Sequence, residues 1–144
     1  MSELIYAEDV SPGMEVDLGD YTVTLEEILE FSRQWDPQDF HVAQSATGYF
    51  GGTIASGLHS MAILQRLSVL HAYSGWAIIA GRRITDVRFL APARAGMILH
   101  GSFAVDAVEM RDDEKALVTV SKRLVSGEVV VLTAIHELYM YRRR

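Results

Sequence analysis

Apolar and polar positions change their period once along this chain, near residue 75. Before that point the apolar residues recur at helical spacing. Thr24-Leu25-Glu26-Glu27 has the form of a capping box, with Thr24 as N-cap and Glu27 reaching back to it. Leu25, Ile28, Leu29, Ser32 and Trp35 then share one face, while Glu26, Glu30, Arg33 and Gln34 take the other. Pro37 disfavours the α conformation at Asp36, so the helix is expected to end around Trp35. Asp36 is then expected in a turn, at the mouth of whatever the helix packs against. A second helix is predicted from Gly57 to about residue 72. Its Leu58, Met61, Ala62, Leu64, Leu67 and Leu70 leave few polar positions, the pattern of a largely buried helix. Gly51-Gly52 precedes it as a permissive loop, and Tyr73-Ser74-Gly75 closes it.

After Gly81 the alternation is that of strands. Residues 83–90 read as a strand ended by a turn around Pro92 and Gly96. Residues 98–108 alternate, with Leu99, Phe103 and Val105 on one side. The charged tip Arg111-Asp112-Asp113-Glu114 leads into 116–125, where Val118, Val120 and Leu124 alternate with Thr119, Ser121 and Arg123. Ser126-Gly127 is a short hairpin signal before the last and most β-prone run, 129–141. With a short strand near 14–23, the pattern predicts an α+β fold in which about five antiparallel strands have one long apolar helix to wrap around.

Composition narrows the classes. At 144 residues the chain has the length of one ordinary domain, so residues 1–144 are expected to form a single unit. A net charge of −6 argues against a nucleic-acid binder, which usually presents a basic face. Arg142, Arg143 and Arg144 are expected to form a solvated, frayed end rather than a polyanion site. The absence of cysteine excludes disulfides, thiolate nucleophiles and cysteine-ligated metals. His59, His71, His100 and His136 lack metal-ligand spacing, so neither a metal nor a cofactor is expected. The stretch 1–9 carries acids and no basic segment before an apolar run, so no secretory signal is expected. The apolar runs fall far short of the ~20 residues a membrane span needs. A soluble, cytoplasmic protein is the expectation.

Candidate chemistry concentrates between Trp35 and His59, as W-D-P-Q-D-F-H-V and then F-G-G-T-I-A-S-G-L-H. On one continuous helix, Asp36 and His41 would point about 140° apart. A turn at Pro37 instead can bring carboxylate and imidazole to one small volume, where the first holds a water and the second exchanges a proton. Spacing alone leaves the plainer possibility that Asp36 caps a turn and His41 is a half-buried helix-end residue. Ile54-Ala55-Ser56-Gly57 precedes the apolar helix, whose unpaired N–H groups carry the positive end of the helix dipole. A thioester carbonyl lying against Gly57 would be polarised there, although the same residues also suit an ordinary glycine turn.

Taken in order, these elements resemble the MaoC-like acyl dehydratase family, which includes the (R)-specific enoyl-CoA hydratases and is built on the hotdog fold. The resemblance covers most of the chain: Val10-Ser11-Pro12-Gly13, the Asp36/His41 segment, Phe50 through Gly57, the stretch 81–92 and the late strands. It implies a lyase that reversibly hydrates a 2-enoyl thioester, an acyl-CoA of fatty acid metabolism or a similar acyl thioester. Asp36 would act as general base on a shared water, and His41 would pass a proton to the α-carbon. The Gly57 N–H, flanked by Ser56 and Ile54, would bind the thioester oxygen. The resemblance also implies a homodimer, or a higher homo-oligomer of dimers, with two hotdogs sharing one sheet. Arg82 and Arg83 are candidates for the CoA phosphates, with a solvated strand start as the plainer reading, and Trp76, Phe89 and Met97 suit either the acyl pocket or the ordinary core. Gln38-Asp39 stands where the family usually carries Asn-Pro; Gln38 can still hydrogen bond, but the added charge of Asp39 is expected to raise the proton affinity of Asp36. Gln65 falls where some hydratases carry an assisting serine; Ser56, His59 and Ser60 are the nearby substitutes, with a helix-start or packing role as the plainer reading of each. The alternatives are a hotdog acyl-CoA thioesterase and a catalytically silent acyl-CoA-binding protein.

Overall fold

The structure, a computed structural model, describes residues 3–42 and 48–144. The first two residues of the acidic N-terminal stretch, and part of the spacer between His41 and Phe50, lie outside them. Five strands form one antiparallel sheet in the order β1-β3-β4-β5-β2. These are β1 (Glu15–Thr22), β2 (Ile78–Phe89), β3 (Ile98–Met110), β4 (Lys115–Ser126) and β5 (Val129–Tyr141). Helices α1 (Leu25–Trp35), α2 (Asp39–Val42) and α3 (Gly57–His71) come between β1 and β2.

The sheet closes around α3. Leu99, Phe103 and Val105 of β3 and Val118, Val120 and Leu124 of β4 bury one face of the pleat against Ile63, Leu64 and Leu67. Gly101 lets the helix approach closely. A Cβ there would stand 3.2 Å from Leu67 and 3.3 Å from Leu18 and Leu64. At α1, the Thr24 Oγ1 accepts the Glu27 N–H at 3.2 Å, as the cap predicts. The Glu27 carboxylate takes a short hydrogen bond from the Tyr21 hydroxyl as well as a long contact with Thr24, and so ties α1 to β1.

Four expectations need correction. β2 begins at Ile78, five residues early, because this edge strand buries almost none of its side chains and so shows no alternation to read. Trp35 is 63% exposed: only Ile28, Leu29 and Ser32, at the middle of the predicted face, are covered. Leu58, Val69 and Leu70 of α3 face outward, so this helix is buried on one side only. Two of the three terminal arginines are held down: Arg142 pairs with Glu8, and Arg143 with Asp9 while lying over the Tyr6 ring, whereas Arg144 is exposed.

Candidate active site

The end of α1 presents its last turn to the start of α3. Asp36 is the C-cap of α1, its N–H bonded to the Ser32 carbonyl at 2.9 Å, and its backbone leaves the helix at φ −154°. Pro37 enforces that exit. The chain then makes the single turn of α2, whose amide at His41 bonds to the Gln38 carbonyl at 2.9 Å. This turn sends the imidazole inward. His41 is buried, with Phe40 edge-on to its ring. The strand-like approach to α3 is held on two sides, by Ile54 N–H to the Phe40 carbonyl and Ala55 N–H to the Ala93 carbonyl.

The pair forms across this turn. His41 Nε2 stands 3.3 Å from Asp36 Oδ2. His41 Nδ1 lies 2.8 Å from the Ile54 carbonyl oxygen. A carbonyl only accepts, so Nδ1 carries the proton and Nε2 is the nitrogen turned to the carboxylate. Asp36 Oδ2 also accepts from the Ser56 hydroxyl at 2.7 Å, and Oδ1 from the Gln38 amide at 2.8 Å. The Ser56 and Gln38 hydrogen bonds together hold the Asp36 carboxyl below its ordinary value, with the nearby imidazole adding to them. This corrects the expectation for Asp39, which is not among the groups acting on Asp36; Gln38 does hydrogen bond, and it stabilises the charged form.

Asp36, His41, Ile54, Ser56 and Gly57 line one cavity of about 450 Å³, with Phe89 at the end of β2 and Leu90 just beyond it also in the lining. Gly57 opens α3, where a helix leaves its N–H without an intrahelical acceptor. A Cβ on Gly57 would come within 2.5 Å of the Phe89 ring, so glycine is what lets the ring close over this helix end. Ser60 also lines the cavity, whereas His59 turns away to stack on Phe31 and approach Glu27 at 3.8 Å. Trp76 and Met97 are absent from the lining; Trp76 packs in the core against Tyr73 and Phe103. Arg82 and Arg83 do not line the cavity either. Both pair with Glu137 midway along β2. Among the described residues no group of three or more His, Cys, Asp or Glu could hold a metal ion. No described helix is long and apolar enough to cross a membrane.

Ser56 bridges the two halves of the site, because its hydroxyl also accepts the Leu58 N–H at 3.2 Å as the cap of α3. Ser56→Ala is expected to cost about 1 kcal/mol through the lost cap. It also removes the largest influence lowering the Asp36 pKa. The sign follows: Asp36 then protonates at higher pH, and the acid limb of a pH–rate profile moves upward. Thermal melts and that profile check both effects.

One feature escaped the sequence reading, a second group of polar side chains behind α3, at Lys122, Gln65, Ser68, Tyr73 and His136. A signal for it was present: residue 122 falls in step with Val118, Val120 and Leu124 on the inward face of β4.

The family model described as the MaoC like domain matches residues 8–128. The chain belongs to the MaoC-like dehydratase family, and its fold is the hotdog fold, an antiparallel sheet around a central helix. A MaoC-like dehydratase from Rhodospirillum rubrum is 29% identical, with 97% of this chain and 99% of that one covered and a TM-score of 0.86. An Archaeoglobus protein described as a monoamine oxidase regulatory protein superposes with a TM-score of 0.90 at 25% identity, covering 99% and 98% of the two chains. An R-hydratase from Pseudomonas aeruginosa shares the fold at 19% identity and a TM-score of 0.78, over 98% of this chain and 88% of that one. An uncharacterized Bacillus subtilis protein, YdeM, is 35% identical over 72 residues, 49% of this chain; the match spans only 51% of that curated relative.

Proposed function

We propose that this protein hydrates and dehydrates 2-enoyl thioesters, with Asp36 and His41 as the catalytic pair. One observation carries the reading: a carboxylate and an imidazole 3.3 Å apart open on the same cavity as the amino end of α3. The thioester oxygen lies against the Gly57 N–H, with the helix dipole behind it, and the β-carbon faces the pair. The Asp36 carboxylate takes a proton from water as its oxygen bonds to the β-carbon. The electrons of the double bond move onto the thioester oxygen as an enolate, stabilised at the helix end. Asp36 passes its proton across the 3.3 Å gap to His41 Nε2, and the α-carbon takes it from there, so that carboxylate and imidazole both return to their starting forms. Water is consumed and no cofactor is needed. Ser56 and Gln38 keep Asp36 ionised for the first step.

The direct test follows the conjugated absorbance of crotonyl-CoA and a panel of longer and branched enoyl thioesters. Loss of that absorbance without thiol release is expected. Thiol release instead would move attack to the carbonyl and make the protein a thioesterase; silence on the whole panel would leave the hydratase reading without support.

The same reading includes a homodimer. β2 is a sheet edge with Ile79, Ile84, Phe89 and Leu90 exposed, and Leu58 and Leu70 of α3 add to the uncovered apolar surface. Such an edge ordinarily finds a partner. A second copy pairing β2 antiparallel across a two-fold axis covers it. Sedimentation is expected to give twice the chain mass, falling to the monomer for Ile84→Arg. A wild-type monomer overturns the assembly.

A further inference from the structure

Behind the catalytic cavity lies a second, smaller one of about 30 Å³, lined by Met61, Leu64 and Gln65 of α3 and by Ile84, Lys122, Leu132, Ala134 and His136. Lys122 is only 5% exposed. Its ammonium donates to Ser68 Oγ at 3.0 Å and to Gln65 Oε1 at 3.3 Å, and lies over the Tyr73 ring. Every one of these partners is neutral. Among the described residues no carboxylate comes within ion-pair distance of Lys122. The nearest acid on β5, Glu137, points to the opposite face and is taken by Arg82 and Arg83. A lysine buried this deeply is seldom left without an acid, because neutral acceptors satisfy its hydrogen bonds but not its charge.

The position of the cluster relates it to the acyl group. The same two elements line both cavities, one step apart: Gly57 and Ser60 then Met61 and Gln65 on α3, Val131 then Leu132 and Ala134 on β5. Gly57 and Gln65 are eight residues apart, about 12 Å along the helix axis. A chain whose thioester oxygen sits at Gly57 and which runs along α3 therefore reaches the second cavity with its far end. Met61, unbranched and adaptable, stands one turn nearer the catalytic pair and is the side chain that must yield.

We infer that the acyl thioester taken by this site carries a carboxylate at the far end of its chain, which displaces the Gln65 amide and pairs with Lys122. This rests on the hydratase reading for the placement of the thioester, but not for the pairing itself. An unmodified hydrocarbon end would bring the ammonium only more apolar surface. A carboxylate brings the missing charge and a charge-assisted hydrogen bond.

Two measurements test it. The first compares, at pH 6, kcat/KM for 2-octenoyl-CoA and its ω-carboxylated counterpart, 2-octenedioyl-CoA. The second compares, by calorimetry at the same pH, the affinities of the two saturated analogues, which cannot be hydrated. The wild type is expected to favour the carboxylated member by about tenfold or more in both. Lys122→Met is expected to abolish that ratio. Gln65→Glu, which gives Lys122 an internal carboxylate and so keeps the cluster paired, is expected to abolish it as well. A wild-type ratio near one, or a ratio that both variants retain, overturns the inference. The two readings fail separately. Hydration of both thioesters without preference removes this inference and leaves the hydratase; preferential binding through Lys122 without any hydration does the reverse.

Discussion

Asp36→Asn is expected to lower turnover of a 2-enoyl thioester by at least about a hundredfold while leaving the fold in place, and His41→Ala to do at least the same. The asparagine keeps the size of the side chain and one oxygen to accept from Ser56 or Gln38, so the loss reports the missing base. His41→Ala is less clean. It empties a buried volume and leaves the Ile54 carbonyl without its donor, so its melting temperature must be measured beside its rate. Both variants are compared by the decay of enoyl absorbance at saturating substrate. Near-wild-type turnover in Asp36→Asn would refute the assignment of the pair, whatever happens to His41→Ala.

The second large effect is on stability and concerns Lys122. Burial pushes its pKa down to about 7, and burial together with the Lys122 charge pushes His136 down to about 4. Both groups release their protons in the folded chain at pH values where the unfolded chain still holds them. Stability therefore rises with pH, from about 4 to 6.5 through His136 and from about 7 to 10.5 through Lys122. The upper end is cut short near pH 10, where an unfolded chain can ionise Tyr73 while burial keeps the folded phenol neutral. For Lys122 the gain between pH 6 and 9 is of order 3 kcal/mol. Lys122→Met removes that dependence. Ser68 keeps a partner in this variant, since its hydroxyl already bonds the Leu64 carbonyl at 2.8 Å. Urea unfolding at pH 6 is expected to find the variant more stable than wild type by about 1–4 kcal/mol. At pH 9 the two should converge. Equal stability at both values would mean that Lys122 reaches solvent in the folded chain.

How these two sites stood in the sequence differs for a physical reason. Asp36 and His41 were legible because the constraint on them is local. Pro37 ends a well-capped helix, and the next few residues decide where the imidazole turns. The Ile54 to Gly57 segment was legible for the same reason, as the start of a helix with an open N-terminus. Phe89 was named for the pocket as well, but its closure over Gly57 was not legible. The residue comes from more than thirty residues away in the sequence, and its ring position depends on the register of β2 against β5, where Phe89 pairs with Leu132.

By itself the sequence determined the two helices, four of the five strands to within a few residues, the turn between carboxylate and imidazole, and through these the fold class. Such features follow from period, capping and proline sterics, which act over a few residues. Only the tertiary structure decided that Ser56 and Gln38 hold Asp36 ionised, that Arg82 and Arg83 are tied up by Glu137, and that β2 starts at Ile78 as an exposed edge. It also decided that Lys122, Gln65 and His136 meet behind α3. These depend on strand order and on how closely a helix settles over Gly101, and long-range packing of that kind leaves no period in the chain to read.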